Sequence, residues 1–187
     1  MEDLWLGKAT ERLFLPMLQM IFPEIVDMAF PAEGVFHNLC LVSMKKEVPG
    51  HAKKLMHGLW GSGQMSSTKT LVVFDDDVDV QDASQCAWRA LANVDARRDV
   101  VIVEGPVDVL DHSAPQMGLG AKIGVDATRK WAEEGGREWP EPCVQPADVL
   151  ARMDALYERL VPGAPAPQRP TIREPAAAAW IPKKGAA

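Results

Sequence analysis

Two short runs contain no polar residue, Leu71–Phe74 (Leu-Val-Val-Phe) and Val100–Val103 (Val-Val-Ile-Val). A strand that meets water on one face alternates apolar and polar positions. An unbroken apolar run is what a strand needs when both of its faces are covered. Helices on either side of a sheet provide that cover, so the runs predict an α/β domain: a mixed, partly parallel sheet with helices on its faces. Asp82 to Asn93, between the runs, has helical spacing with Cys86, Ala87, Ala90 and Leu91 on the inward face. Strand, helix and strand in that order predict a parallel pair.

The other elements are read around this unit. Residues 10–21 predict a short helix opened by Thr10 and broken or kinked at Pro16. Ile25–Phe30 and Asn38–Met44 predict strands. Pro49 suits a first helical turn, and Ala52, Leu55, Met56, Leu59 and Trp60 have the spacing of a helix that Gly61 ends. A Gly-rich loop over 113–120 is expected to lead into a helix at 122–131. A last helix over 147–160 carries Val149, Leu150, Met153, Leu156, Tyr157 and Leu160 on one face. The expected organisation is a linker helix region (1–22), an α/β domain (23–160) and a Pro/Ala-rich, disordered tail (161–187) with a docking segment at Trp180 and Ile181.

Composition removes several classes. A net charge of −6 with no basic stripe argues against a nucleic-acid partner. The apolar runs are far too short to span a bilayer. Met1-Glu-Asp-Leu-Trp has no basic stretch followed by an apolar one, so no signal peptide is expected. Three cysteines, Cys40, Cys86 and Cys143, have neither disulfide nor zinc spacing, which suggests a reducing cytoplasm.

Asp75, Asp77 and Asp79 alternate as in a calcium loop. The sixth and twelfth positions hold Val80 and Cys86 where such a loop needs Gly and Glu. A solvated strand end, with Asp82 capping the next helix, is expected instead. His37, His51, His57 and His112 include no pair at i, i+4. His112 stands out because it precedes the Gly/Pro loop, and loops after strands gather ligands in such sheets. No Gly-x-Ser-x-Gly elbow is present. Gly118, Gly120 and Gly124 fit neither phosphate-loop pattern, and Lys122 is left with two readings, an anion ligand or a loop cap.

The wording of the segments is more specific than their chemistry. Leu6-Gly-Lys-Ala-Thr-Glu-Arg-Leu-Phe-Leu-Pro16, Glu24–Asp27 with Glu33–Asn38, and Pro49-Gly-His-Ala-Lys53 stand in that order. Thr68-Lys69 with Asp75–Asp79, Arg97-Arg-Asp99 with Val103–Pro106, Leu110–Pro115 and Gly120–Trp131 follow. Together, over about residues 2–140, these blocks resemble the C-terminal domain of the UbiD family of decarboxylases.

That resemblance implies a lyase that removes or adds CO2 on aromatic or α,β-unsaturated acids, with the ubiquinone and menaquinone pathways as the best-known branch. It implies prenylated FMN, a modified flavin that serves as electron sink, with a divalent metal (Mn) and potassium at the flavin phosphate. A Glu–Arg–Glu network would move the proton. All of these belong to the family's N-terminal flavin-binding domain, so no catalytic, cofactor or metal residue is assigned here. The implied partner is that domain, with a homo-oligomer also expected. The implied role of this chain is one wall of the substrate pocket. That wall comprises Ser67, Thr68, Lys69 and Thr70, and Pro115, Gln116, Met117 and Gly118. It departs from the family pattern at Ser67 and Thr70, where bulkier residues are common, and at Ala114-Pro-Gln-Met-Gly118, where Ser-Pro-Leu-Pro-Gly is usual. The other implied reading is an inactive fragment with a packing and oligomerisation role.

Overall fold

A computed structural model of the chain describes residues 2–35, 38–135, 143 and 145–163. His37, Trp180 and Ile181 lie outside them. The elements are α1 (Glu2–Ile21), β1 (Ile25–Ala29), β2 (Leu39–Met44), α2 (His51–Trp60) and β3 (Thr70–Asp75). They continue with α3 (Ala83–Asn93), a one-turn α4 (Ala96–Asp99), β4 (Val100–Pro106), β5 (Leu119–Asp126) and α5 (Ala147–Leu160). The strands form one sheet in the order β1-β2-β3-β5-β4. β2, β3 and β5 run parallel, and β1 and β4 are antiparallel edges.

β3 is central and buried, as its unbroken apolar run requires. Leu71 and Val73 face α2, packing with Cys40, Val42 and Met44 of β2 and with Leu55, Met56 and Leu59. Phe74 faces the other way, onto Leu41, Val78, Val80 and Cys86 beneath α3. Cys40 and Cys86 are thus free, buried thiols, and burial pushes both well above the usual range.

Five expectations are corrected. First, α1 starts at Glu2, so Thr10 is mid-helix and caps nothing, and Pro16 sits inside the helix. Pro16 is exposed, which leaves the carbonyl it cannot pair with on the water side. Buried contacts hold the helix down on its other side: Leu18 in the core, and Glu11, whose carboxylate accepts the Phe30 N–H at 2.7 Å.

Second, β3 and β4 are not a parallel pair, and β4 is not covered on both faces as its apolar run predicts: it is an edge strand whose Ile102 is 70% exposed. Val100 pairs with Val125 and Asp126 pairs with Val73, so β4 begins at the end of the sheet where β3 finishes. The chain through α3 and α4 returns to that same end and makes no crossover. β5 then fills the place between them.

Third, residues 119–126 form strand β5 where a helix over 122–131 is expected. The inward positions of β5 are Gly120, Lys122, Gly124 and Asp126. Small and charged residues on the buried face hide a period of two from any reading based on hydrophobicity. Gly124 permits a close approach there. A Cβ at that position would stand 2.6 Å from Met56 Sδ and 3.0 Å from Trp60 Cη2, so its absence lets α2 lie directly on β5.

Fourth, α3 buries Gln85, Cys86, Arg89 and Asn93, whereas Leu91 is 88% exposed. Fifth, the acids after β3 are not a solvated strand end. Asp77 is buried and accepts from the Arg89 guanidinium and, at 3.1 Å, from Arg129. A buried carboxylate needs such partners, and that is why α3 turns Arg89 inward. Asp82 does cap α3, accepting from the N–H groups of Ser84 and Gln85. α2 starts at His51 with Gly50 as N-cap, two residues after Pro49. α5 keeps its sequence bounds and buries no residue.

Candidate functional site

The carboxyl ends of β2, β3 and β5, where open α/β sheets usually bind ligands, are filled by ion pairs. Lys46 reaches Glu134, Arg129 O (2.8 Å) and Thr128 Oγ1 (3.2 Å). Lys130 reaches Asp126 Oδ1 at 2.9 Å and Thr128 O at 2.6 Å. The Arg129 N–H donates to Asp75 at 2.7 Å. Burial nevertheless pushes the Asp75 carboxyl up to about 6; the Arg129 N–H bond opposes the shift, and nearby Asp77 adds to it.

The expected wall residues gather at the opposite end, where β3 and β5 begin. The loop 107–118 follows antiparallel β4, so it hangs over the amino ends of the parallel strands. Lys69 joins the two stretches. Its Nζ donates to Asp111 Oδ1 at 3.0 Å and to Ser113 Oγ. Asp111 Oδ1 also accepts from Ser113 Oγ at 2.8 Å and Ser113 N at 3.1 Å. Desolvation pulls the Asp111 carboxyl upward, but the Lys69 and Ser113 hydrogen bonds and the Lys69 charge outweigh it and hold it below the usual range. The backbone of Lys69 is fixed as well, because its carbonyl accepts from Ile123 N of β5 at 2.9 Å. One residue therefore ties the sheet to the loop.

The strip before β3 is held from below. Trp60 Nε1 donates to Thr68 O at 3.0 Å, and the buried Lys122 donates from Nζ to Ser66 O. The Lys122 ammonium also lies 5.8 Å from the centre of the Trp60 ring. Burial lowers its pKa. Lys122 therefore braces the strip before β3, a role that neither sequence reading, anion ligand or loop cap, describes.

Five of the eight wall residues line two clefts, and Thr70, Met117 and Gly118 line neither. One, of about 380 Å³, is lined by Lys69, Glu104, Asp111, Ser113, Pro115 and Gln116, among others. The second, of about 350 Å³, takes in Ser67 and Thr68 and lies against Leu6, Phe14 and Met17 of α1. Thr70 opens β3 and borders neither cleft. Met117 is 87% exposed at the loop tip. Gly118 turns the loop with φ +76°, and its carbonyl accepts from Val107 N at 3.1 Å. His112 is exposed beside Asp111. Sequence reasoning missed Trp60 and Lys122 beneath the strip and α1 as a wall of the second cleft. The apolar spacing of Leu6, Phe14 and Met17 was the available signal for α1.

Among the described residues, no three of His, Cys, Asp and Glu stand together as a metal site. The buried acids are already paired with Arg or Lys. A divalent metal at a flavin phosphate does not fit these residues.

A mixed sheet with a loop pinned over one end defines an α/β domain. The chain belongs to the family described as the 3-octaprenyl-4-hydroxybenzoate carboxy-lyase C-terminal domain, whose model matches residues 4–127. It is 51% identical over 162 residues to an uncharacterised protein of Archaeoglobus fulgidus, covering 86% of this chain and 34% of that protein. A protein of Aquifex aeolicus is 51% identical over 160 residues, covering 85% and 33%. The chain thus spans about a third of the length of these relatives. Among solved structures, the UbiD-class enzyme HmfF from Pelotomaculum thermopropionicum, in complex with FMN, matches with TM-score 0.65 and 26% identity. That match covers 78% of this chain and 33% of the other. The closed form of the vanillic acid decarboxylase from Sedimentibacter hydroxybenzoicus matches with TM-score 0.66 and 25% identity, over 77% and 30%.

Proposed function

We propose that this chain is the pocket-closing part of a prenylated-FMN-dependent UbiD-type (de)carboxylase of aromatic or α,β-unsaturated carboxylic acids. The observation that carries the reading is the Lys69 bridge, which brings residues 66–70 and 113–116 to one end of the sheet. Family membership supplies the chemistry. The flavin, its Mn and potassium, and the proton-transfer acids are assigned to a flavin-binding domain distinct from this α/β domain. Here Lys69, Pro115 and Gln116 shape the pocket wall, with Ser67 and Thr68 behind them and Thr70, Met117 and Gly118 at its margin. Shaping a wall and excluding water alter substrate choice without performing the reaction. The proposed assembly is a cytoplasmic homo-oligomer.

The test is CO2 release from benzoic- and cinnamic-type acids with prenylated FMN. The isolated chain is expected to match the flavin-only control. Adding the part of the Archaeoglobus relative that this chain does not cover is expected to give turnover. Turnover by the chain alone would overturn the reading. A second reading, an inactive packing and oligomerisation fragment, is favoured by the unburied apolar face of α5. A monomer by light scattering, together with restored turnover, would remove it.

A further inference from the structure

We infer that the outer face of α1 and the cleft beside it are the surface on which the flavin-bearing domain docks. The inference rests on the function proposed above and names the contact through which it works.

α1 buries Leu18 and Glu11 against the sheet, yet its other side is also apolar. Leu6 (50% exposed), Leu13 (70%), Met17 (57%) and Met20 (87%) follow one another at i, i+7, i+11 and i+14, which places them on one arc of the helix. A helix that met only water on that side would carry charge there. The arc runs directly into the 350 Å³ cleft, whose floor is Phe14, Leu18 and Met65 and whose far wall is the 62–68 strip. Exposed apolar surface continuous with a cleft is the pattern of an interaction site, with the cleft taking an inserted side chain.

The occupant is the flavin-bearing domain. This chain accounts for 34% of its Archaeoglobus relative, so a body about twice its own size belongs with this fold in the full-length proteins. The cleft shares Ser67 and Thr68 with the pocket wall, so a domain seated on α1 lies beside the strip that the proposed pocket needs. The rim is nearly free of acidic and basic side chains, Asp108 being the one such residue among its described lining. The matching surface on the partner is therefore apolar, with at least one large side chain that enters between α1 and the strip.

The experiment measures binding of this chain to the uncovered part of the Archaeoglobus relative, loaded with FMN. Met17→Glu and Leu13→Glu are expected to raise Kd at least tenfold, while Met17→Leu stays near wild type. Both positions are more than half exposed, so the melting temperature of each variant should stay unchanged, which separates lost docking from lost folding. Met153→Glu, on α5, serves as the control for added charge. Equal binding by Met17→Glu and wild type would overturn the docking surface and leave the proposed function standing. No binding by wild type would overturn both. A self-associated chain that Met17→Glu turns into a monomer would make the occupant a second copy and overturn the inference.

Discussion

Gly124→Ala adds one methyl group at the closest approach of α2 to the sheet. The new Cβ would stand 2.6 Å from Met56 Sδ and 3.0 Å from Trp60 Cη2. The thioether is the end of a flexible side chain and can yield, although Met56 is wholly buried. Trp60 is less free, because its indole N–H is committed to Thr68 O at 3.0 Å. Overpacking of this kind destabilises by about 1–3 kcal/mol. Exchanging Gly for Ala in a strand returns about 0.5–1 kcal/mol, so a net loss of about 1 kcal/mol is expected. Met56→Ala alone costs about 2–5 kcal/mol. In that background the added methyl has room, and Gly124→Ala should become neutral or slightly stabilising, a coupling of about 1–2 kcal/mol. Urea unfolding of the four proteins measures this, with unchanged m-values as the check on a common mechanism. Additivity to within about 0.5 kcal/mol would refute the steric argument. The indole N–H resonance of Trp60 should also move in Gly124→Ala, because the strain is passed to the strip that leads into Lys69.

Three further outcomes are expected. Asp75→Asn should stabilise the protein above neutral pH. The folded-state pKa of Asp75, about 6, lies above its unfolded value, so its contribution is fully present below about pH 4 and lost as pH rises through 6. The advantage of the variant, on the order of 2 kcal/mol at pH 8, should shrink toward pH 5 in denaturant titrations, and a pH-independent difference would count against burial as the cause. Lys69→Met should speed amide exchange across residues 108–118 at least tenfold while leaving β3 protected; equal protection would show that the bridge does not hold the loop. Asp82→Ala should cost about 1 kcal/mol by thermal melting, through the two α3 N–H groups left without their acceptor.

The sequence was most legible where hydrophobicity alone decides structure. Leu71–Phe74 announced a strand covered on both faces, and β3 is the middle strand of five. It misled where buried positions are not apolar. Lys122 and Asp126 face inward on β5 because Ser66 O and Lys130 meet them, and Arg89 faces inward on α3 because Asp77 does. Lys122 and Ser66 are 56 residues apart and Arg89 and Asp77 are 12 apart, while Asp126 and Lys130, four apart, meet across the turn that ends β5, so hydrophobic periodicity reveals none of these partnerships. The reversed direction of β4 was hidden for a related reason, since strand order depends on where β5 is inserted, and β5 itself reads as a helix. For the candidate site, the two wall stretches came from family wording; their meeting through Lys69, with partners 42 and 44 residues away, is visible only in three dimensions.

The Lys69 bridge also sets terms for redesign. Under the proposed function, the stretch 66–70 and the loop from 113 onward look like two independent places to vary when altering which acid is accepted. They are not independent, because the lysine between them fixes the position of one relative to the other. A library that randomises 66–70 as a block would displace the loop in most of its members and lose function for reasons unrelated to substrate fit. Holding Lys69, Asp111 and Ser113 constant while varying Ser67 and Gln116 keeps the frame and changes only the lining.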